Sequence, residues 1–119
     1  MRRPAYQVAD DLYMRADWRD TIYKRIYDSE LDTRDFRYSD LGFYMFQQII
    51  EQLTDTLLYP YVLHNFYNPL GAHTLGYQPL NRFPRERIVP TENDMHFRRQ
   101  LLQGHVHDMG AAMLGKAVL

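Results

Sequence analysis

The segment from Asn68 to Pro90, NPLGAHTLGYQPLNRFPRERIVP, limits what this chain can fold into more than any other. It holds four of the chain's six prolines and two of its six glycines. Proline has no amide hydrogen and fixes φ, so neither a continuous helix nor a paired central strand fits these residues. Irregular stretches of this length are uncommon in compact domains unless they are functional or disordered. The segment therefore predicts a long extended arm over residues 68–90.

Apolar side chains recur at short intervals along this arm, which argues against disorder. The prolines also reduce the conformational entropy that the arm loses when it is ordered. An extended, stiffened segment with apolar anchors is suited to lying across another protein. We expect aromatic and aliphatic anchors to face a partner, with arginines at the rim or paired with acids. The predicted partner-binding residues are Tyr77, Arg82, Phe83, Arg85, Arg87 and Ile88.

Three other regions show helical spacing of apolar residues. In the first, Trp18, Ile22 and Ile26 follow one another at intervals of four. Val8 and Leu12 continue the line backwards, so the spacing predicts a helix over residues 7–28. Residues 28–40 are rich in charge and lack an apolar period, which is typical of a solvated connector.

The second region has the clearest pattern. Phe46, Ile50, Leu53 and Leu57 are separated by four, three and four positions, with amides and acids on the opposite side. The pattern predicts a helix over residues 40–66, interrupted near Pro60, with these four side chains largely buried.

The third region covers residues 92–117, where Gly104 predicts a bend. The residues near helical spacing are Met95, Leu102, Val106, Met109 and Met113. The fold class expected from the sequence is therefore mostly α. It comprises two or three amphipathic helices and the long Pro-rich arm, with no substantial sheet, in a single small domain over residues 1–119.

Catalytic and metal-binding patterns are weak. His105 and His107 in HVHD would point about 160° apart on a helix, so we expect no metal site there. The paired carboxylates lie beside arginines, and the two serines lie outside any nucleophile motif. No phosphate-binding loop or dinucleotide fingerprint occurs. We therefore expect a protein that is not an enzyme and needs no cofactor or metal.

The composition favours contact with proteins over contact with nucleic acid. Twelve arginines against two lysines, together with ten tyrosines, match the preferences of buried interfaces. Codon bias in a GC-rich genome would also raise arginine, but it would not raise tyrosine. The net charge of −1 gives no general attraction to nucleic acid, although five arginines between residues 82 and 99 alternate with phenylalanine.

Residues 56–81 form an uncharged run of 26. Prolines and asparagines interrupt it, so it predicts no transmembrane helix, while the tyrosines near residues 57–67 would suit peripheral lipid contact. Arg2 and Arg3 lie in a stretch of nine residues without an acid, which is compatible with a mitochondrial address.

The expected function is a non-catalytic accessory subunit that binds other subunits of a large multiprotein assembly. The favoured setting is a membrane-adjacent complex of the mitochondrial respiratory or ATP synthase type, associated with the inner membrane. One alternative is a structural connector protein of a virion or phage. Another is a small metal-binding or nucleic-acid-binding module.

Overall fold

The computed structural model describes residues 5–31 and 34–114, which contain four short α-helices and two antiparallel hairpins. A π-helical turn (Leu63–Tyr67) continues the third helix, and 3-10 turns lie at Pro79–Asn81 and Arg85–Arg87. Helix exceeds strand, so the helix-dominated class is confirmed, whereas the two small sheets were not predicted. The elements are β1 (Ala5–Ala9), β2 (Leu12–Arg15), α1 (Trp18–Tyr27), α2 (Leu41–Thr54), α3 (Leu58–Val62), β3 (Pro90–Asp94), β4 (Gln100–Gln103) and α4 (Met109–Leu114).

The first hairpin corrects the helix predicted over residues 7–28. β1 pairs with β2 so that Tyr6 lies opposite Met14, and Asp11 turns the chain with a positive φ of 56°. The burial of β2 alternates between half-buried and exposed residues, which is the period of a strand. Val8 and Leu12 are four residues apart by coincidence. Only the part of the predicted helix that begins at Trp18 is confirmed.

The second hairpin corrects the helix predicted over residues 92–117. β3 pairs with β4, and the turn between them is closed by Asp94, whose Oδ1 accepts the amides of His96 (3.2 Å) and Phe97 (2.9 Å). Such a turn competes with helix for the same residues. Gly104 follows β4 with a φ of 84°, and a Cβ there would lie 2.5 Å from Leu80. Residues 115–117 of the predicted helix lie outside the described residues.

The predicted helix over residues 40–66 is divided before Pro60, not at it. α2 ends at Thr54, and Asp55 adopts a left-handed conformation with φ of 49°. Pro60 lies in the first turn of α3, where its missing amide hydrogen would have no helical partner in any case. The described parts of the connector, residues 28–31 and 34–40, lie outside helices and strands as predicted.

The buried apolar core is small and excludes α2 and α3. Among the described residues it consists of five side chains from β1, α1, β4 and α4, so it lies where the two hairpins meet the first and last helices. The core residues are Val8, Ala9, Tyr23, Leu102 and Met113.

Arg98 lies beside this core, with only 3% of its side chain exposed. Its Nε donates to Asp94 Oδ2 at 2.9 Å, and its Nη2 donates to Glu92 Oε1 at 3.2 Å. Glu92 also contacts His107 Nδ1 at 2.5 Å. A buried guanidinium is thus neutralised by two carboxylates of β3, as burial of a charge requires.

The remaining donors of Arg98 reach backbone carbonyls of other segments. Nη1 donates to Val8 at 3.3 Å and to Val106 at 2.8 Å, and Nη2 donates to His107 at 2.7 Å. All five N–H groups of the guanidinium therefore have acceptors. The side chain thereby links β1, β3 and the loop before α4. Among the described residues, no backbone–backbone hydrogen bond joins any two of these three segments.

Replacement of Arg98 should destabilise the whole fold. Arg98→Met leaves two carboxylates and three carbonyls without their donor, and breaking a buried ion pair typically costs about 3–5 kcal/mol. The free energy of unfolding, measured by urea denaturation, should fall by that amount. Arg34→Met, at an exposed position of the connector, is the matched control and should change it by less than about 0.5 kcal/mol. Similar values for the two variants would contradict the central role of Arg98.

Asp94 should make this region sensitive to acid. The Phe97 amide and then the Arg98 guanidinium hold the pKa of Asp94 well below its ordinary value. Because the folded pKa is depressed, the stabilisation is present above about pH 4 and is lost as pH falls through the folded value. Asp94→Asn should therefore be less stable than the parent at pH 7, and the difference should shrink between pH 5 and pH 2. Urea denaturation of both proteins across this pH range measures the difference in the free energy of unfolding. A difference that stays constant with pH would contradict the role of the Asp94 carboxylate.

Candidate partner-binding surfaces

α2 turns its polar side toward the rest of the chain. The Tyr44 hydroxyl donates to Asp108 Oδ2, and burial followed by this hydrogen bond raises the pKa of Tyr44. Asp108 Oδ1 accepts the amides of Gly110 (2.8 Å) and Ala111 (3.1 Å), which caps α4. One carboxylate thus joins α2 to the start of the last helix.

Two further polar groups of α2 also face inward. Gln47 is buried and donates to Glu51 Oε1 at 3.2 Å. The same oxygen accepts the Leu58 amide at 3.0 Å, which fixes the turn between α2 and α3. Glu51 is the one acidic or basic residue of α2, and its carboxylate faces the rest of the chain.

The apolar side of α2 consequently faces outward, which corrects the prediction that its side chains are buried. The exposed fractions are 58% for Phe46, 82% for Leu53 and 47% for Leu57, and only Ile50 is half-buried. The sequence spacing correctly identifies an apolar face, but it cannot tell which side of a helix meets the domain. We name the apolar surface of α2 the α2 stripe; its residues are Phe43, Phe46, Ile49, Ile50 and Leu53, whereas Leu57 lies beyond the end of α2 at the start of α3.

A second apolar surface lies at the first hairpin. It is a cleft of about 270 Å³ bordered by β1, β2, the start of α1, Phe97 and Met109. Tyr13, Trp18 and Phe97 line it and are 58%, 43% and 69% exposed. The Arg25 guanidinium lies 5.9 Å from the centre of the Trp18 ring. We name this surface the hairpin cleft; its size suits one large apolar side chain of another protein.

A larger cavity of about 640 Å³ lies between β1, residues 77–81, residues 104–106 and the middle of α4. No aspartate, glutamate, lysine or arginine lines it. Small residues such as Ala111 and Gly104 form part of its wall.

The predicted extended arm over residues 68–90 is wrong as a conformation. Residues 68–89 form irregular turns and two 3-10 turns, and Pro90 begins β3. Pro79 is the first residue of one 3-10 turn, and Pro84 directly precedes the other. Proline's fixed φ is as compatible with the first residue of such a turn as with an extended chain. Tyr77 is half-buried, with its ring centre 5.0 Å from that of Tyr59, and burial raises its pKa.

Side chains supply the hydrogen bonds that hold this segment. Arg82 donates to the carbonyls of His73 (2.8 Å) and Leu75 (3.0 Å). Phe83 lies between two guanidinium groups, 5.2 Å from that of Arg82 and 5.4 Å from that of Arg87. The predicted use of these arginines at a partner interface remains a prediction, since Arg82 already binds its own backbone.

The second half of the segment is fastened to both hairpins. Arg85 Nη2 donates to Asp10 Oδ1 at 2.8 Å, and this contact holds the pKa of Asp10 below its ordinary value. His105 Nε2 lies 3.3 Å from the same oxygen. Gln103 Nε2 donates to the carbonyls of Arg85 (2.8 Å) and Ile88 (2.6 Å). Sequence periodicity gave no sign of these contacts, because they join residues up to 95 positions apart.

The histidines of HVHD lie in the loop after β4, not on a helix. His105 contacts Asp10, whereas His107 contacts Glu92, so each histidine faces a different carboxylate. Across residues 5–31 and 34–114, no group of three or more metal-ligating side chains is assembled.

Comparison with protein-family models, curated proteins and solved structures finds no match for this chain. None of the helices in the described part of the chain is long and apolar enough to cross a bilayer.

Replacement of Arg85 should loosen residues 82–88 locally. Arg85→Gln removes the ion pair between Arg85 and Asp10. Both side chains are about half exposed, so the free energy that holds this segment closed should fall by at most about 1 kcal/mol. Hydrogen exchange of the Phe83, Arg87 and Ile88 amides should then be faster by roughly five-fold. Val89→Gln, at an 84% exposed position shortly after the same turn, is the control. Equal exchange rates in the two variants would show that Arg85 does not hold the segment.

Proposed function

We propose that this protein is a non-catalytic accessory subunit of a larger multiprotein assembly, and that other proteins cover its apolar surfaces. One observation carries the proposal. Among the described residues five apolar side chains are buried, whereas twenty large apolar or aromatic side chains are exposed. Monomeric soluble proteins expose single apolar residues but seldom this many relative to their core.

The distribution of these side chains supports a binding role over poor packing. Four of the exposed side chains, Phe43, Phe46, Ile49 and Leu53, share the α2 stripe, and three, Tyr13, Trp18 and Phe97, surround the hairpin cleft, while the Tyr44 hydroxyl and the Glu51 carboxylate of α2 are hydrogen-bonded inside the fold. No buried side-chain nitrogen or oxygen lacks a hydrogen-bond partner among the described residues. A fold that satisfies its polar groups and leaves its apolar groups exposed is suited to binding apolar surfaces.

The hairpin cleft is the surface that we assign to another subunit. Its lining includes three aromatic rings, from Tyr13, Trp18 and Phe97, and two methionines, together with Val8, Leu12 and Arg15. Aromatic residues are enriched at the centres of interfaces. Methionine adapts its shape to the group that it contacts. A leucine, phenylalanine or methionine of the partner would fill the 270 Å³ and bury the exposed faces of Tyr13 and Trp18.

The setting that we favour is a membrane-adjacent complex of the mitochondrial respiratory or ATP synthase type. The support is the uncharged run over residues 56–81, which includes α3 and the π-helical turn. Leu57 and Phe66 there are 47% and 51% exposed and are available to apolar subunits or to lipid at the edge of a bilayer.

The protein in its native cells should sediment with an assembly. An affinity-tagged full chain, extracted in mild detergent and separated on a glycerol gradient, should migrate far beyond the 14.3 kDa of one chain. It should also be recovered with a constant set of other proteins. Recovery at the size of one or two chains, with no companion proteins, would refute the proposed function.

The hairpin cleft should be required for that assembly. Trp18→Ala combined with Phe97→Ser removes two walls of the cleft, both from exposed positions, so the fold should survive with an unchanged circular dichroism spectrum. Co-purification should fall at least ten-fold. Phe36→Ser is the control, since Phe36 is 95% exposed on the connector. Unchanged recovery with the double variant would place the partner on another surface.

A further inference from the structure

The α2 stripe has the spacing of a helix-pairing seam. Phe43, Phe46, Ile50 and Leu53 are separated by three, four and three positions within one continuous helix. This repeat forms a narrow apolar line that packs against one neighbouring helix. The Phe43 and Phe46 rings are already arranged edge to face at 6.1 Å, so the aromatic end of the seam is ordered before any partner arrives.

The side chains of the seam change from large to smaller along the helix. Its first two members are phenylalanines and its last two are aliphatic. If two such helices lie antiparallel, Phe43 of one faces Leu53 of the other and Phe46 faces Ile50. Each aromatic side chain then meets a smaller aliphatic one, and the same contacts repeat about a two-fold axis. A parallel pair would instead place phenylalanine against phenylalanine at one end and leave space at the other.

The charge of the surface is also compatible with self-association. The only residue of α2 charged at neutral pH is Glu51, which faces inward and binds the Leu58 amide. Two copies can therefore approach without like-charge repulsion along the seam. The lack of lysine and arginine on α2 disfavours an anionic membrane as the occupant, because interfacial helices carry such residues on their polar face.

The exposed area is near what a dimer needs. At ~200 Å² for an aromatic side chain, the exposed parts of Phe43 and Phe46 present roughly 230 Å². Ile49, Leu53 and the neighbouring Tyr38 raise this to the order of 600 Å² per copy, against ~800 Å² per partner in a standard stable interface. An area of this size is at the low end for specific interfaces and is compatible with a reversible dimer.

We propose that the α2 stripe binds the α2 stripe of a second copy of this chain, with the two helices antiparallel. The inference goes beyond the proposed function, since it concerns the isolated chain and leaves the hairpin cleft free for other subunits.

The purified full chain should dimerise reversibly. Sedimentation equilibrium should show a shift from 14.3 kDa toward twice that mass, with a midpoint on the order of 1–100 µM. Leu53→Glu should raise the dissociation constant at least 30-fold while leaving the circular dichroism spectrum unchanged, because this side chain is 82% exposed. Leu31→Glu, at a 96% exposed position outside the stripe, is the matched control and should dimerise like the parent.

The orientation can be tested with introduced cysteines, because the sequence contains none and any disulfide must then join two chains. An equimolar mixture of Phe43→Cys and Leu53→Cys should give mainly the mixed disulfide under mild oxidation, identified by mass. Phe43→Cys alone should cross-link poorly. Preferential cross-linking of Phe43→Cys to itself would refute the antiparallel arrangement.

Two other outcomes would refute the dimer itself. One is a chain that remains monomeric at every concentration, and the other is a Leu53→Glu variant that dimerises like the parent. Either result would leave the proposed function standing if the native chain still sediments with other proteins. Conversely, a dimer in vitro that sediments alone in cell extracts would support this inference and refute the proposed function.

Discussion

The guanidinium of Arg98 is the contact on which the rest of the fold depends. Two two-stranded hairpins are each too small to be stable alone, and the five buried apolar residues supply little burial to hold them together. Arg98 adds five hydrogen bonds that converge from β1, β3 and the loop before α4. Because each partner is a backbone carbonyl or a carboxylate, only a side chain with five fixed donors serves this position.

Side-chain hydrogen bonds between distant segments also recur elsewhere in the molecule. Asp10 joins the first hairpin to Arg85 and His105, and Asp108 joins α4 to Tyr44. Gln103 donates hydrogen bonds to the carbonyls of Arg85 and Ile88, which ties β4 to residues 85–88. The polar residues Gln47 and Arg98 are buried alongside the five apolar core residues, while many large apolar side chains remain outside. This distribution explains why the exposed faces are candidate binding surfaces.

The sequence predicted some elements well and others poorly, for identifiable reasons. α1 and α2 were predicted because their apolar spacing is periodic. The hairpins were missed because Val8, Leu12, Met95 and Leu102 fall on helical spacing by chance, while their turns depend on Asp11, Asp94 and Arg99 in conformations that no periodicity reveals. The direction in which α2 faces was predicted wrongly. That direction is set by Tyr44 and Glu51, whose partners lie 64 and seven residues away.

The outward orientation of the α2 stripe also bears on how a cell would handle this chain. A newly made copy displays the kind of contiguous apolar surface that chaperones and quality-control proteases recognise in incompletely folded proteins. If other chains cover this surface, as we propose, copies that are bound conceal it and surplus copies remain marked for removal. The amount of the protein would then follow the supply of its partners more closely than the rate of its own synthesis. An inward-facing α2 would have removed this form of control.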